Sequence, residues 1–397
     1  MRSIFSTLNL KDPRSNKPLD LLASLQIMFD AASKNSVTLW EETYLDKWFT
    51  INTPQLGLTA EGITAKYGIR VRASIIGNDS DTPTRPKRGF EVWSGEIPRM
   101  GHKFVTEAKV LRSLISLYEN NRINPEAKIK EIERIILGDA KDAYLGCKDT
   151  VDEIILKLLS NGGVALFDPA VDNPDGREYT VDCSMPTTNK LKAAIDWSEA
   201  NVANPAINVL GELQAIAYQF KALGIEFGAL LMSPTIKYWL LRNLSVRQAV
   251  LGVDKSARSV TDAEFGALLT SFGLPPIVEI NKRTSYQTDG YVNPIVPWNE
   301  DVIAFLPKTS DGKIGVVQPA LEDSALMPDP NVNYTDAGDG ILIAKWRTGE
   351  STGSTVAEYT QGTWRAIPIP TAIGGVVNYM VRNVTNPWLD GETVPLG

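Results

Sequence analysis

The apolar and polar positions of this chain change their period several times, and each change marks an element. Between Leu19 and Ala32, Leu22, Leu25, Ile27, Met28 and Phe29 recur at roughly helical spacing, with Pro13, Pro18 and Pro54 around them. One short helix in residues 1–57 buries too little to fold alone, so this stretch reads as an arm ordered by lying on something else. The period then shortens to two. Ile69, Val71, Ala73 and Ile75 alternate with Arg70, Arg72 and Ser74, and Phe90 and Val92 alternate with Glu91 and Trp93. Strands over 66–76 and 89–97 follow, joined by the loop Gly77–Arg88, rich in Asn, Asp, Ser, Thr and Pro. A lone two-stranded ribbon is marginal in water and needs a neighbour to lie against.

From Lys103 to Gly163 the spacing predicts helix in pieces, separated by Asn120–Pro125 and by Gly138. Asp139 is the expected N-cap of the last piece, whose stripe is Tyr144, Cys147, Val151, Ile154, Ile155, Leu158 and Leu159. Asn161-Gly162-Gly163 ends it with residues that tolerate positive φ. Strands are expected at Val164–Pro169 and Glu178–Cys183, around the turn Asn173–Gly176. Asn204 and Pro205 are expected to open a helix with Val209, Leu213, Ile216, Phe220 and Leu223 on one face and Gly224 as its stop. An apolar strand, Phe227–Met232, runs into Ser233-Pro234, a second cap with proline. Thr261-Asp262-Ala263-Glu264 is a capping box opening a helix with Phe265, Leu268, Leu269 and Phe272. Ile277–Ile280 is expected inside a mixed sheet, and Ile341–Trp346, Trp364–Ile369 and Val376–Val381 as late strands.

This succession from Gly211 to Ile280 resembles the lambda-type capsid protein E family of tailed phages. That family shows a hydrophobic strand ending in Ser/Asp-Pro, a polar stretch, a short helix and a valine-rich strand. Here these are Leu230–Pro234, Val253–Val260, Thr261–Phe272 and Ile277–Ile280, with Trp298–Pro307 and Gly312–Val317 fitting downstream. The resemblance covers about residues 58–385. It implies an α+β chain with the Hong Kong 97-type major capsid fold. Its parts would be an N-terminal arm (1–57), an extended E-loop hairpin (58–103), the spine helix and peripheral domain (104–203), the axial domain (204–330), and C-terminal strands returning to the peripheral domain (331–397). It further implies self-assembly into hexamers and pentamers, packaged double-stranded DNA held non-specifically, and portal, scaffold or decoration proteins as partners. The place would be the virion capsid, assembled in a bacterial host cytoplasm. Candidate contacts between subunits are Arg70, Arg72, Arg85, Lys87, Arg88 and Trp93 on the hairpin, and Trp346 and Trp364, which as tryptophans are equally candidates for the core.

Composition narrows the alternatives. Of 397 residues 43% are hydrophobic and 22% charged, enough for a folded core. Lys+Arg 40 against Asp+Glu 47, a net charge of −7, gives no excess cation with which to read a nucleic-acid backbone, while a container has no need to grip its cargo. Cys147 and Cys183 are too few for a disulfide scaffold, and His102, the single histidine, allows no histidine-based metal site or Ser-His-Asp triad within one chain. His102 reads as a surface or interface residue. Neither GxGxxG nor GxxxxGK[ST] occurs, so the strand-to-helix turn at Ser233 lacks the glycines of a nucleotide pocket. No cofactor or metal is expected, no apolar run is long enough to span a membrane, and the start carries no export signal. Three other readings stand beside the capsid: an encapsulin-like compartment shell, a carboxylate-based hydrolase using acids such as Asp168, Asp172, Asp182, Asp196 or Glu199, and an adhesive surface protein.

Overall fold

The computed structural model describes residues 43–65, 90–119, 125–253, 258–288, 291–349, 356–384 and 394–395. In chain order the elements are α1 (Tyr44–Trp48), β1 (Phe49–Ile51), β2 (Thr59–Ala65), β3 (Phe90–Glu96), β4 (Arg99–Glu107), α2 (Ala108–Glu119), α3 (Pro125–Ser160), β5 (Val164–Phe167), β6 (Tyr179–Asp182) and β7 (Lys190–Lys192). They continue with α4 (Val209–Ala222), β8 (Phe227–Met232), α5 (Pro234–Arg242), α6 (Leu244–Leu251), α7 (Asp262–Ser271), β9 (Ile277–Glu279), β10 (Thr284–Thr288), β11 (Tyr291–Ile295) and β12 (Val302–Pro307). The last are β13 (Gly315–Ala320), α8 (Asp323–Leu326), β14 (Asn333–Asp336), β15 (Leu342–Thr348), β16 (Ala357–Ile369), β17 (Val377–Met380) and β18 (Val394–Pro395). The chain divides into two compact units, one within 1–60, 96–152 and 317–368, the other within 61–95, 153–316 and 369–397. The helix expected over Leu19–Ala32 and the strand over 66–76 lie outside the described residues.

The second unit is built on a sheet of order β18-β7-β17-β12-β8-β9. Strand β12 reads Val-Ile-Ala-Phe-Leu-Pro with every residue buried, the signature of a strand covered on both faces. It runs antiparallel to β8 and to β17, pairing Phe305 with Leu230 and with Val377. Helix α4 turns Leu213, Ile216 and Phe220 into the same cluster, and α5 and α7 add Ile236, Leu240, Phe265 and Leu269. The local signals for these helices hold. Ser233 Oγ accepts from Ile236 N with Pro234 in the first turn, and Thr261 and Glu264 form the reciprocal capping box. The C-terminus of α3 is closed as the glycines required: Gly162 and Gly163 take φ of 66° and 88°, and Asn378 of β17 accepts from Gly162 N at 2.8 Å while donating to Leu159 O at 2.6 Å.

Some boundaries move. Asn204 does not cap α4: its Oδ1 accepts from Ala206 N two residues on, closing a turn, and the cap is Asn208, which accepts from Gly211 N. Leu223 then falls at the C-cap and is 50% exposed rather than on the buried face. Strand β9 is at the edge of its sheet, parallel to β8, instead of inside it. The late strand β17 belongs to this sheet as well.

The first unit carries a sheet of order β1-β13-β16-β15-β14, with β4 also paired to β16. Residues 99–107, expected to lead into helix, are a strand because β16 supplies a nine-residue antiparallel partner, from Arg99 opposite Arg365 to Glu107 opposite Ala357. Helix α3 is continuous through Gly138, and Asp139 lies within it, not at an N-cap. Here α3 rests on the sheet through small residues. A Cβ added at Gly362 would strike the carbonyl oxygen of Ala143, and one at Gly146 would strike the His102 ring. Strand β16 accordingly begins at Ala357, well before the expected Trp364, and passes through a glycine that reads locally as a turn residue.

Candidate assembly surface

Strands β2 and β3 pair as a sheet of two and form the described part of the first ribbon. Its base is fastened in the first unit, where Ile97 N donates to Leu58 O at 2.8 Å and the Ile97 side chain is buried. Gln55 Nε2 donates to Gly57 O and Thr59 O, while Leu56 and Leu58 beside it are exposed. Arg70, Arg72, Arg85, Lys87 and Arg88 lie outside the described residues, and Trp93 is placed on β3.

Register separates the other two tryptophans. Trp346 stands opposite Tyr359, which stands opposite Val105, so the three form a row across β15, β16 and β4. The Trp346 and Tyr359 rings stack with centroids 5.4 Å apart, Lys103 Nζ lies 5.1 Å from the Tyr359 centroid, and Val105 is 50% exposed. Trp364 shares the face of Gly362, the face against α3. It is wholly buried and donates from Nε1 to Asp339 O at 2.9 Å. Of its two readings, core and subunit contact, the structure takes the core.

Charge is buried beneath this row. Lys345 is 2% exposed, and burial pulls its ammonium down to about 8 against the opposing pull of Asp139 and Glu358. Burial likewise pushes the Asp139 carboxyl up, against Lys345 and the Thr106 hydroxyl that donates to it. Glu322, 1% exposed, sits between Arg99 Nε at 3.0 Å and Arg365 Nε at 3.7 Å, yet burial still raises it. These groups fix strands and helix to one another.

The other chemistry-bearing residues serve the fold. His102 Nε2 donates toward the carbonyls of Asp142 and Ala143 at 3.1 and 3.2 Å, laying its exposed ring on α3. Cys147 and Cys183 are free and buried, and burial pushes both thiols up to about 12. Asp168, Asp182 and Asp196 accept from the backbone of Ala170, Ser184 and Val384. Asp172 joins Glu153 in pairing with Lys157 at 2.6 and 2.9 Å, and Glu199 lies 4.0 Å from Arg242. Among the described residues no group of three or more His, Cys, Asp or Glu is disposed to hold a metal, and no helix is long and apolar enough to cross a membrane.

A second ribbon, β10 with β11, is registered from Thr284 opposite Ile295 to Thr288 opposite Tyr291. It stands where no element is expected above, although Asp289-Gly290 between two alternating runs is a strong hairpin signal. Its base is pinned by Thr284 Oγ1 to Glu153 at 3.1 Å and by Tyr286 OH to Val171 O at 3.1 Å. Beside that base lies a cleft of about 450 Å³, lined by Lys157, Val171, Tyr286, Ile295, Val296 and Trp298 among others.

No protein-family model and no curated protein matches the chain. Among solved structures it is similar to a capsid protein of a prophage of Escherichia coli CFT073, at 12% identity over 89% of this chain and 98% of that one, with a TM-score of 0.53. A phage-related protein of Bordetella bronchiseptica RB50 aligns over 89% and 96% at 11% identity with a TM-score of 0.44. The capsid of Myoviridae phage XM1 aligns over 87% and 94% at 12% identity with a TM-score of 0.40. The fold is thus the α+β, Hong Kong 97-type architecture that the sequence implied, shared nearly end to end with the prophage protein.

Proposed function

We propose that this chain is the major capsid protein of a tailed bacteriophage, a structural subunit that assembles into hexamers and pentamers of an icosahedral shell around double-stranded DNA. The observation that carries the reading is the match in fold along almost the whole length of a prophage capsid protein. Two features of the chain support it. A ribbon of two strands is marginal alone and gains order by lying on another subunit. An aromatic row with one exposed end, Trp346–Tyr359–Val105, is the kind of surface an interface uses as an anchor.

Assembly is then the mechanism. Identical chains in six-fold and five-fold rings must make nearly the same contacts, which favours arms and ribbons that adjust over one rigid interface. Each contact is weak, and their number raises the effective concentration of the next. The arginines and lysine of the first ribbon, Arg70, Arg72, Arg85, Lys87 and Arg88, would reach acidic surface on an adjoining copy. The net charge of −7 suits a wall that holds DNA without gripping it. Portal, scaffold and decoration proteins would complete the particle, in the virion and, before it, in the host cytoplasm.

Sedimentation tests this. The intact purified chain should yield a fast, homogeneous shell species. Deletion of Gly77–Arg88 should abolish it while leaving the melting of the subunit unchanged. A slow species alone from the intact chain would contradict the function, and normal shells from the deletion would contradict the role of the ribbon.

A further inference from the structure

The sequence holds one Asn-Gly step, Asn161-Gly162, directly after the last residue of α3. Asn-Gly is the pair most open to deamidation, because glycine has no Cβ to hold its nitrogen away from the preceding side chain. The reaction needs water, an accessible asparagine carboxamide, and a glycine nitrogen free to attack it. The fold supplies the first two. Asn161 is half-buried and lines the open cleft beside the β10–β11 ribbon, where solvent meets its carboxamide. Asn299 Nδ2 donates to Asn161 Oδ1 at 3.0 Å, which fixes that carboxamide and polarises its carbon toward a nucleophile.

The third requirement is withheld. Gly162 is buried, and its N–H donates to Asn378 Oδ1 at 2.8 Å. Asn378 is wholly buried in turn, and its Nδ2 donates to Leu159 O at 2.6 Å, so the acceptor is itself held in place. The backbone is tied on both sides, through Gly163 N to Leu158 O at 3.0 Å and Val164 N to Asn161 O at 3.2 Å. An amide proton bonded to a buried acceptor is lost to solvent only when that bond opens.

We infer that Asn161 is a deamidation site set at the mouth of the cleft and locked by Asn378, converting only when the end of α3 opens. In the conversion Gly162 N gives its proton to water and bonds to Asn161 Cγ. The bond from Cγ to Nδ2 breaks, and ammonia leaves with a proton from water. Water then opens the five-membered imide at one carbonyl or the other, giving aspartate or isoaspartate. Either product places a negative charge at the negative end of α3, where the helix dipole opposes it. Isoaspartate also reroutes the backbone through the side chain and takes Gly162 off Asn378. Opening at this helix end thus becomes irreversible. None of these steps requires assembly, so the dissociated chain suffices to follow them.

Peptide mapping at mildly alkaline pH, well below the melting temperature, reads the site. The folded native chain should release ammonia from Asn161 far more slowly than a free peptide of residues 157–167. Equal rates would overturn the lock. Asn378→Ala should convert on the order of tenfold faster than the native chain, the factor that one ordinary hydrogen bond gives. An unchanged rate would remove Asn378 from the role. Phe305→Ala loosens the same sheet but keeps every hydrogen bond at Gly162, and it should convert as slowly as the native chain. Equal acceleration in both variants would assign the rate to general loosening and overturn the inference. Hydrogen exchange of the unaltered chain gives a reading that needs no variant: the Gly162 amide should exchange slowly, and rapid exchange would contradict the lock.

Discussion

The two main sheets solve the same problem with different chemistry. In the second unit the central strand β12 is apolar along its whole length and is flanked by strands and helices that are largely apolar where they meet it. In the first unit β15 and β16 point Lys345 and Glu358 inward, each 2% exposed or less, and the strands are held to α3 by charge, hydrogen bonds and glycine-scale clearances. The central strand β12 owes its stability to apolar burial, which protonation barely touches, although Tyr379 on the neighbouring β17 donates to the half-buried Glu212 carboxyl. The polar sheet contains groups whose ionisation differs between folded and unfolded chain, so its stability depends on pH. A chain built this way has one region that stays fixed and another that solution conditions can adjust.

Urea unfolding of the dissociated chain sharpens the contrast. Phe305→Ala, at the centre of the apolar sheet, should cost about 3–5 kcal/mol at any pH between 6 and 9. Lys345→Met probes the polar sheet. Its ammonium falls from 10.5 to about 8 on folding, so between those values the unfolded chain binds more protons and stability rises with pH. Wild type should therefore gain on the methionine variant as pH climbs through that window, by about 3 kcal/mol at most. A flat difference would show that Lys345 is not desolvated. Gly362→Ala should cost about 1–3 kcal/mol by forcing the strand away from Ala143. Thr261→Ala, on the outer end of α7, removes only a cap and should cost about 1 kcal/mol without pH dependence over the same range.

What the sequence made legible was local. The capping box at Thr261 and the Ser233-Pro234 start depend on residues within one turn, and both stand where they were expected. Asn204 and Asn208 are both competent caps. The choice falls to Asn208 because Ile207 and Val209 beside it are buried, a tertiary fact. Gly362 carries no local sign of its role, because its reason, the carbonyl of Ala143, is far upstream in the chain. Alternation alone could not tell Trp346 from Trp364. Only the register with β4 and with each other puts one on the open face and the other against α3. The β10–β11 ribbon has a local signal in Asp289-Gly290 and stands where no element is expected above.

Electron microscopy of the purified, unmodified chain tests the central claim most directly. The account predicts closed, regular shells with six-fold and five-fold clusters. A population of well-folded single chains or small oligomers at high concentration, with no shells under any assembly condition, would contradict it.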